Sequence, residues 1–411
     1  MALTSGGLKF GVFVPPQNRV GVNPNLAIRR SVELIEHLDR FGYDEAWVGE
    51  HHSGGAELIA SPELVLACAA ERTRSIRLGT GVVSLPYHHP FQVAERFVLL
   101  DHLTRGRVMF GMGPGQLPTD AWMHGLEATQ LRPRMEQSLA VILRLLRGET
   151  VTEAAEWYTL RDAVLQLAPF SDLSLSVVGT VSPAGPKLAG RHGLGLLSLA
   201  ATDPAGNDML PRHWDIMNEE ADRHGQRIDR REWRLMGPMH IAESEREARD
   251  NCRYGLRWQY EYLRHITPSA IEVPNDSDDL ADLLNRTGRG VIGTPEMAVA
   301  QIRRLIERTG GFGTFLLQGI DFADWEATLR SYRLIAEEVI PHFDGQLQPV
   351  ETSYRLILDR AEQNRSAIAA AREAAAQSWE AERKQPGARG ATDRGGAPRP
   401  GGFPQQPDPP D

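Results

Sequence analysis

The chain has 411 residues, a formal net charge of −9, and 41% hydrophobic and 24% charged residues. That is an ordinary globular composition of a length that suits an α/β barrel, and its acidic balance speaks against a nucleic-acid partner. The two cysteines, Cys68 and Cys252, build neither a disulfide framework nor a cysteine-rich metal site, no apolar run is long enough to span a bilayer, and no signal peptide is visible, so a cytoplasmic protein with no membrane partner is expected.

Leu8–Pro15 reads as a first strand ending at paired prolines, and Leu26–Phe41 as a helix stopped by Gly42. Asp44–Glu50 is a second strand. Ser61–Arg72 is a helix with Ser61 as N-cap and Pro62 at the first helical position. Ile76–Leu85 and Arg107–Met112 are the third and fourth strands, followed by helices over Phe91–Leu103 and Arg132–Leu146. Leu173–Gly179 is the fifth, trailed by a helix ending near Gly193. Gly195–Ala200, Trp233–Ile241 and Thr314–Gly319 complete the set, with helices at Glu243–Tyr262, Pro295–Thr309 and Asp324–His342.

Eight strands, each trailed by a helix, predict an α/β protein built as a (β/α)8 TIM barrel over residues 1–345. A doubly wound sheet is the rival. Its glycine-rich fingerprint should follow the first strand, where Pro15-Pro16-Gln17-Asn18 stands instead. The long connection between strands seven and eight holds Thr267–Gly290, with the polar run Asn275–Asp279, and reads as a lid insertion on the face where barrel active sites form. Residues 346–384 read as a helical extension, and the Pro- and Gly-rich residues 385–411 as a disordered tail.

Glu50-His51-His52 closes the second strand, at the end that faces a barrel's active site, and histidine exchanges protons near neutral pH. His51 and His52 are therefore catalytic candidates. Neighbouring strand residues point to opposite faces, so this pair, with His88 and His89 after the third strand, does not make a metal site. A structural role as strand-end caps competes. Gly111-Met112-Gly113-Pro114-Gly115 fails both the dinucleotide and P-loop patterns, yet permits close backbone approach of a flat ligand; a tight turn explains it equally. Ser182-Pro183-Ala184-Gly185 opens a helix whose N-terminus suits an anion. Trp258, Tyr260 and Tyr262 precede the lid and either roof an apolar pocket or pack in the core.

Together, Gly42–Gly55 (GYDEAWVGEHHSGG), Ile76–Gly115, Ser182–Gly193 (SPAGPKLAGRHG), Gly290–Pro295 and Gly310–Gly319 resemble the bacterial-luciferase-like flavin-dependent monooxygenases. The resemblance runs from about Leu8 to Gly345, and EHHSGG, SLPYHHP and GMGPGQLPTDA are most similar to the limonene 1,2-monooxygenase group. It implies reduced flavin as cofactor, FMN by the luciferase fold or FAD by the limonene group. The flavin would be reduced by NADH through a separate flavin reductase. O2 would react through a C4a-hydroperoxide to oxygenate, by epoxidation, a small apolar substrate such as limonene or a related terpene. His51 would lie near the reacting edge of the flavin ring, with His52 beside it. Gly81 and Val82 would form a bulge beneath the ring, often with a cis peptide, near Gly111 and Gly113. Ser182, Ala184 and Gly185 would hold the phosphate. Met109, Met112, Trp122, Met123 and Trp258 are candidates for the apolar substrate pocket, and a homodimer would pack helices beside the second and third strands. A reactive cysteine and an arginine of luciferase are replaced by Gly113-Pro114, and a phosphate-side glutamate by Val181, so aldehyde-driven light emission is not implied. A deazaflavin-dependent oxidoreductase and a non-catalytic flavin-binding paralogue are the alternatives within the superfamily.

Overall fold

The structure, a computed structural model, describes residues 7–15, 17–266 and 272–384. Its strands in chain order are β1 (Lys9–Val14), β2 (Glu45–Val48), β3 (Arg77–Thr80), β4 (Val83–Ser84), β5 (Val108–Gly113), β6 (Val151–Ala154), β7 (Thr159–Ala163), β8 (Ser174–Gly179), β9 (Gly195–Ser198), β10 (Trp233–Gly237), β11 (Met239–Ile241), β12 (Val291–Gly293) and β13 (Thr314–Gln318). The order β3-β2-β1-β13-β10-β9-β8-β5 closes on itself through the β3–β5 pairing. Every pair in that ring is parallel, which makes a TIM barrel.

Strand residues alternate between two cores. Val12, Val48, Phe110 and Met112 face the surrounding helices. Their neighbours Phe13, Trp47 and Met109 meet Leu197, Met236 and Leu316 in a separate cluster within the barrel. The N-terminal end of that interior is plugged by a charge pair. Glu45 opens β2 and Arg234 lies near the start of β10, each only 1% exposed. The guanidinium grips the carboxylate through Nε (2.8 Å) and Nη2 (3.0 Å) and stacks over Trp47.

The third barrel strand is split by a bulge. Leu78 and Gly79 pair with Val108 and Met109, an offset of 30 (108 − 78), whereas Val83 and Ser84 pair with Met112 and Gly113, an offset of 29 (112 − 83). One extra residue is therefore accommodated on the β3–β4 side. The Thr80 hydroxyl takes over the ladder there, accepting from the Gly111 N–H (3.1 Å) and donating to the Gly111 carbonyl (2.9 Å). The Gly81–Val82 peptide within the bulge is cis.

Several elements differ from the sequence reading. The expected seventh strand is two strands, because Pro238 cannot donate to a ladder: β10 stays in the barrel and β11 leaves to pair with β12. The expected helix Glu243–Tyr262 breaks into Glu245–Cys252 and Leu256–Ile266. Gly255 between them packs so closely that a Cβ would lie 1.8 Å from the Asp321 carbonyl oxygen. The polar run expected in an irregular lid instead starts a helix, Ser277–Thr287, whose N-cap is Asp276. The middle of the expected lid, 267–271, lies outside the described residues, as does the tail 385–411. The antiparallel pair β6–β7 and the short helix Pro118–Met123 were not anticipated.

The chain divides into two compact units, Met1–Leu347 and Gln348–Asp411. The second carries most of helix Leu347–Asp359 and all of Ala361–Lys384, neither with a buried residue. Among the described residues no helix is long and apolar enough to cross a membrane.

Candidate active site

The C-terminal ends of the barrel strands surround a cavity of about 480 Å³. Just past β2, Glu50 is buried at 4% exposure. Its Oε1 accepts hydrogen bonds from Nε2 of both His52 (2.9 Å) and His88 (2.8 Å), and its Oε2 from the Ser84 N–H (3.2 Å). Burial drives this carboxyl's pKa upward, but the two histidines outweigh burial and hold it below the ordinary range. The bond to Glu50 in turn raises the pKa of His52. The ligand atoms of Glu50, His52 and His88 lie within 4.8 Å of one another, a spacing a cation could share. In this arrangement the carboxylate is satisfied by the two rings.

His51 diverges from His52, as alternation along an extended chain requires. It lines the cavity, and its Nδ1 bonds Asp120 Oδ2 at 2.9 Å. Asp120 sits on helix Pro118–Met123 and is 1% exposed. Its other oxygen accepts from the His52 N–H at 3.1 Å and from the Ser53 hydroxyl. Burial raises the Asp120 pKa, and the bonds from His51 and Ser53 overcome it, leaving the carboxyl below its usual range. A carboxylate on Nδ1 assigns the proton of a neutral His51 ring to that nitrogen, so Nε2 is the acceptor the ring offers to the cavity. Asp120 was not singled out in the sequence. It lies 69 residues from His51, and only the fold brings the two together.

The same cavity is lined by Gly81 and Val82 from the bulge and by Ser182, Ala184 and Gly185 after β8. The helix that follows Ser182 runs over Ala184–His192. Pro183 holds the cap position and no side chain caps the first turn. Ser182 is thus free to bond elsewhere, and its Oγ accepts from Arg132 Nη2 at 3.4 Å. Gly185 lets this turn abut β8: a Cβ there would lie 2.3 Å from the Val178 carbonyl oxygen. Uncapped N–H groups, a hydroxyl and a guanidinium in one cavity wall fit a phosphate. Arg132 supplies a positive charge at a site that looks uncharged in the local sequence.

Other candidates lie elsewhere. His52 is in the second layer, its ring against Tyr87 and His124. Gly111 and Gly113 do not line the cavity; a Cβ on Gly111 would strike the Thr80 carbonyl oxygen (2.1 Å), and one on Gly113 the Val82 side chain (2.4 Å). None of the five residues expected in the pocket, Met109, Met112, Trp122, Met123 and Trp258, lines this cavity. Met112 faces the helices because strand alternation turns Met109, not Met112, inward. Trp122 and Met123 are 78% and 60% exposed, since their short helix spends its inner face on Asp120 and Ala121. Trp258 stacks on Tyr262 away from the cavity. Phe13, Leu117, Val178, Leu199 and Met236 supply the apolar lining instead.

Comparison with known proteins gives the family. Residues 8–311 match the luciferase-like monooxygenase family. The chain is 52% identical to limonene 1,2-monooxygenase of Rhodococcus erythropolis, over 92% of this chain and 97% of that one. It is 45% identical to 4-hydroxyprotoasukamycin monooxygenase of Streptomyces nodosus subsp. asukaensis, over 88% and 99%. Among solved structures, a Pseudomonas putida type II Baeyer–Villiger monooxygenase, the oxygenating constituent of 3,6-diketocamphane monooxygenase in complex with FMN, shares the fold. Its TM-score is 0.67 and its identity 24%, covering 82% of this chain and 98% of that one. A closed parallel barrel, a histidine–carboxylate pair at its mouth and a match spanning most of the barrel lead to one assignment: the chain belongs to the luciferase-like monooxygenase family.

Proposed function

We propose that this enzyme is a flavin-dependent monooxygenase that transfers one atom of O2 to a small, largely apolar substrate, limonene or a related terpene. A separate reductase would supply flavin, FMN or FAD, reduced by NADH. The observation that carries the reading is that one cavity joins the His51–Asp120 pair to the Arg132–Ser182 anion cradle through an apolar wall. The 52% identity to a limonene 1,2-monooxygenase supports the substrate class.

A reduced flavin, when bound, supplies the electrons that activate dioxygen. Arg132, the Ser182 hydroxyl and the Ala184 and Gly185 N–H groups would bind its phosphate. Phe13, Val82, Leu199 and Met236 exclude water from the reacting atoms. Asp120 holds the His51 ring through Nδ1, which would leave Nε2 to accept a hydrogen bond from a protonated oxygen at the reacting centre.

The test couples the purified protein to a flavin reductase with NADH, heavy-isotope O2 and a terpene panel including limonene. An epoxide carrying one heavy oxygen is the expected product. Full conversion of NADH equivalents to hydrogen peroxide, with every terpene unchanged, overturns the reading.

A further inference from the structure

The cavity wall contains a carboxyl to which the roles above assign nothing. Glu57 lines the cavity at 7% exposure. Its backbone is held by an antiparallel bridge to Gln17, and the neighbouring Asn18 N–H donates to the Ala56 carbonyl at 2.8 Å. The Tyr262 hydroxyl lies 3.3 Å from Glu57 Oε1 and 3.1 Å from the Gly54 carbonyl oxygen, so one donor is shared between two acceptors. Glu57 Oε2 is buried with no hydrogen-bond partner among the described residues.

A buried polar atom without a partner is costly; the Gln17 side chain hydrogen-bonds this carboxyl and, like His51, lines the same wall, while Pro15, Leu117 and Ile266 in that wall bear no side-chain donor. No basic side chain forms a salt bridge with this carboxyl among the described residues, in contrast to Glu50 and Asp120. Burial raises its pKa and nearby Asp120 adds to this, with His51, Gln17 and Tyr262 opposing. A carboxyl biased toward its neutral form both donates and accepts a hydrogen bond.

We propose that Glu57 is a specificity residue that hydrogen-bonds a hydroxyl or carbonyl oxygen of the substrate. The preferred substrate is therefore an oxygenated ring compound rather than a bare hydrocarbon. This rests on the monooxygenase reading and narrows its substrate class. A site with a hydrogen-bonding group discriminates strongly against an analogue lacking the complementary atom, because that group is left unpaired.

The experiment uses flavin-loaded full-length protein and a matched set: limonene, carveol (the same skeleton with a ring hydroxyl) and carvone (the same with a ring ketone). Dissociation constants are read from ligand-induced changes in the flavin spectrum for wild type, Glu57→Gln and Glu57→Leu. Wild type is expected to favour carveol and carvone over limonene by about tenfold or more. Glu57→Leu should abolish that ratio while binding limonene at least as well, and Glu57→Gln should keep most of it. If Glu57→Leu does not fold, the wild-type ratio and Glu57→Gln still decide. Equal wild-type affinity for all three ligands overturns the inference, as does equal weakening of all three by Glu57→Leu. Heavy-oxygen product analysis on the same wild-type samples separates the two readings. Oxygenation of all three compounds without a binding preference removes only the role of Glu57. Absence of any oxygenated product removes the monooxygenase reading, while the binding ratio still decides what Glu57 recognises.

Discussion

Strand β2 is framed by two glutamates that meet opposite fates. Glu45 opens the strand and Glu50 lies just past its end; both are buried, and both carboxyls are held below their ordinary range despite burial. The difference lies in the partner. Glu45 is gripped by Arg234, a cation that never titrates, sealed in the barrel interior. Glu50 is held by the rings of His52 and His88, which are 17% and 16% exposed, and the bond raises the pKa of His52. A permanent pair makes a rigid plug, whereas a titratable one beside a cavity makes a wall that responds to protons. The barrel thus carries a permanently charged pair at one end and a histidine–carboxylate network at the other.

The largest effect should come from the plug. Arg234→Met leaves the Glu45 carboxylate with the Trp47 N–H and the more distant Arg77 alone, and should remove about 3–5 kcal/mol of stability in urea unfolding. The double substitution Glu45→Leu/Arg234→Met should recover at least half of that. A single-variant cost below about 1 kcal/mol, typical of a surface pair, would break the contrast. Next comes the other end. His51→Ala should lower oxygenated product per NADH consumed by about 10²-fold with the urea midpoint almost unchanged. Asp120→Asn keeps the side-chain volume but weakens the hold on His51. It should cost about tenfold in the same ratio, read beside flavin affinity to show that the cradle is intact.

The smallest effect is the pH dependence of stability. Glu50 has a lowered folded pKa, so its contribution is complete above its ordinary value of about 4.5 and is lost as pH falls through the folded value. His52 has a raised folded pKa. Its contribution is complete below 6.5 and is lost as pH rises through the folded value. The urea midpoint should therefore gain most from this network between about 4.5 and 6.5. Glu50→Gln should flatten both flanks, while Glu45→Gln should leave the upper flank unchanged.

The barrel was legible because its strands read as short apolar runs, each followed by a helical period, and burial on both faces demands that pattern. What failed to show has specific physical causes. Pro238 splits a run that looks continuous, and Gly255 breaks a helix because its backbone must approach Asp321. In the site, His51 was legible at the end of its strand and Ser182 at the opening of a helix, while Val82 was legible only through the family resemblance. Asp120, Glu57 and Arg132 were not, since each acquires its role from a partner distant in sequence or in the cavity itself. The residues expected in the pocket do not line this cavity, because apolar character alone does not say which face of β5 or of helix Pro118–Met123 points inward.

The bulge between β3 and β4 has a consequence for how such an enzyme diversifies. Thr80 satisfies Gly111 with its own hydroxyl, so the extra residue leaves the neighbouring ladder undisturbed. Val82 packs over Gly113 and also lines the cavity, with its position set by the bulge rather than by strand register. Exchanging its side chain for a smaller or larger one changes the depth of the chamber while the flanking strands keep their places. Lineages that share the scaffold could therefore explore ligands of different girth by single substitutions at this one position.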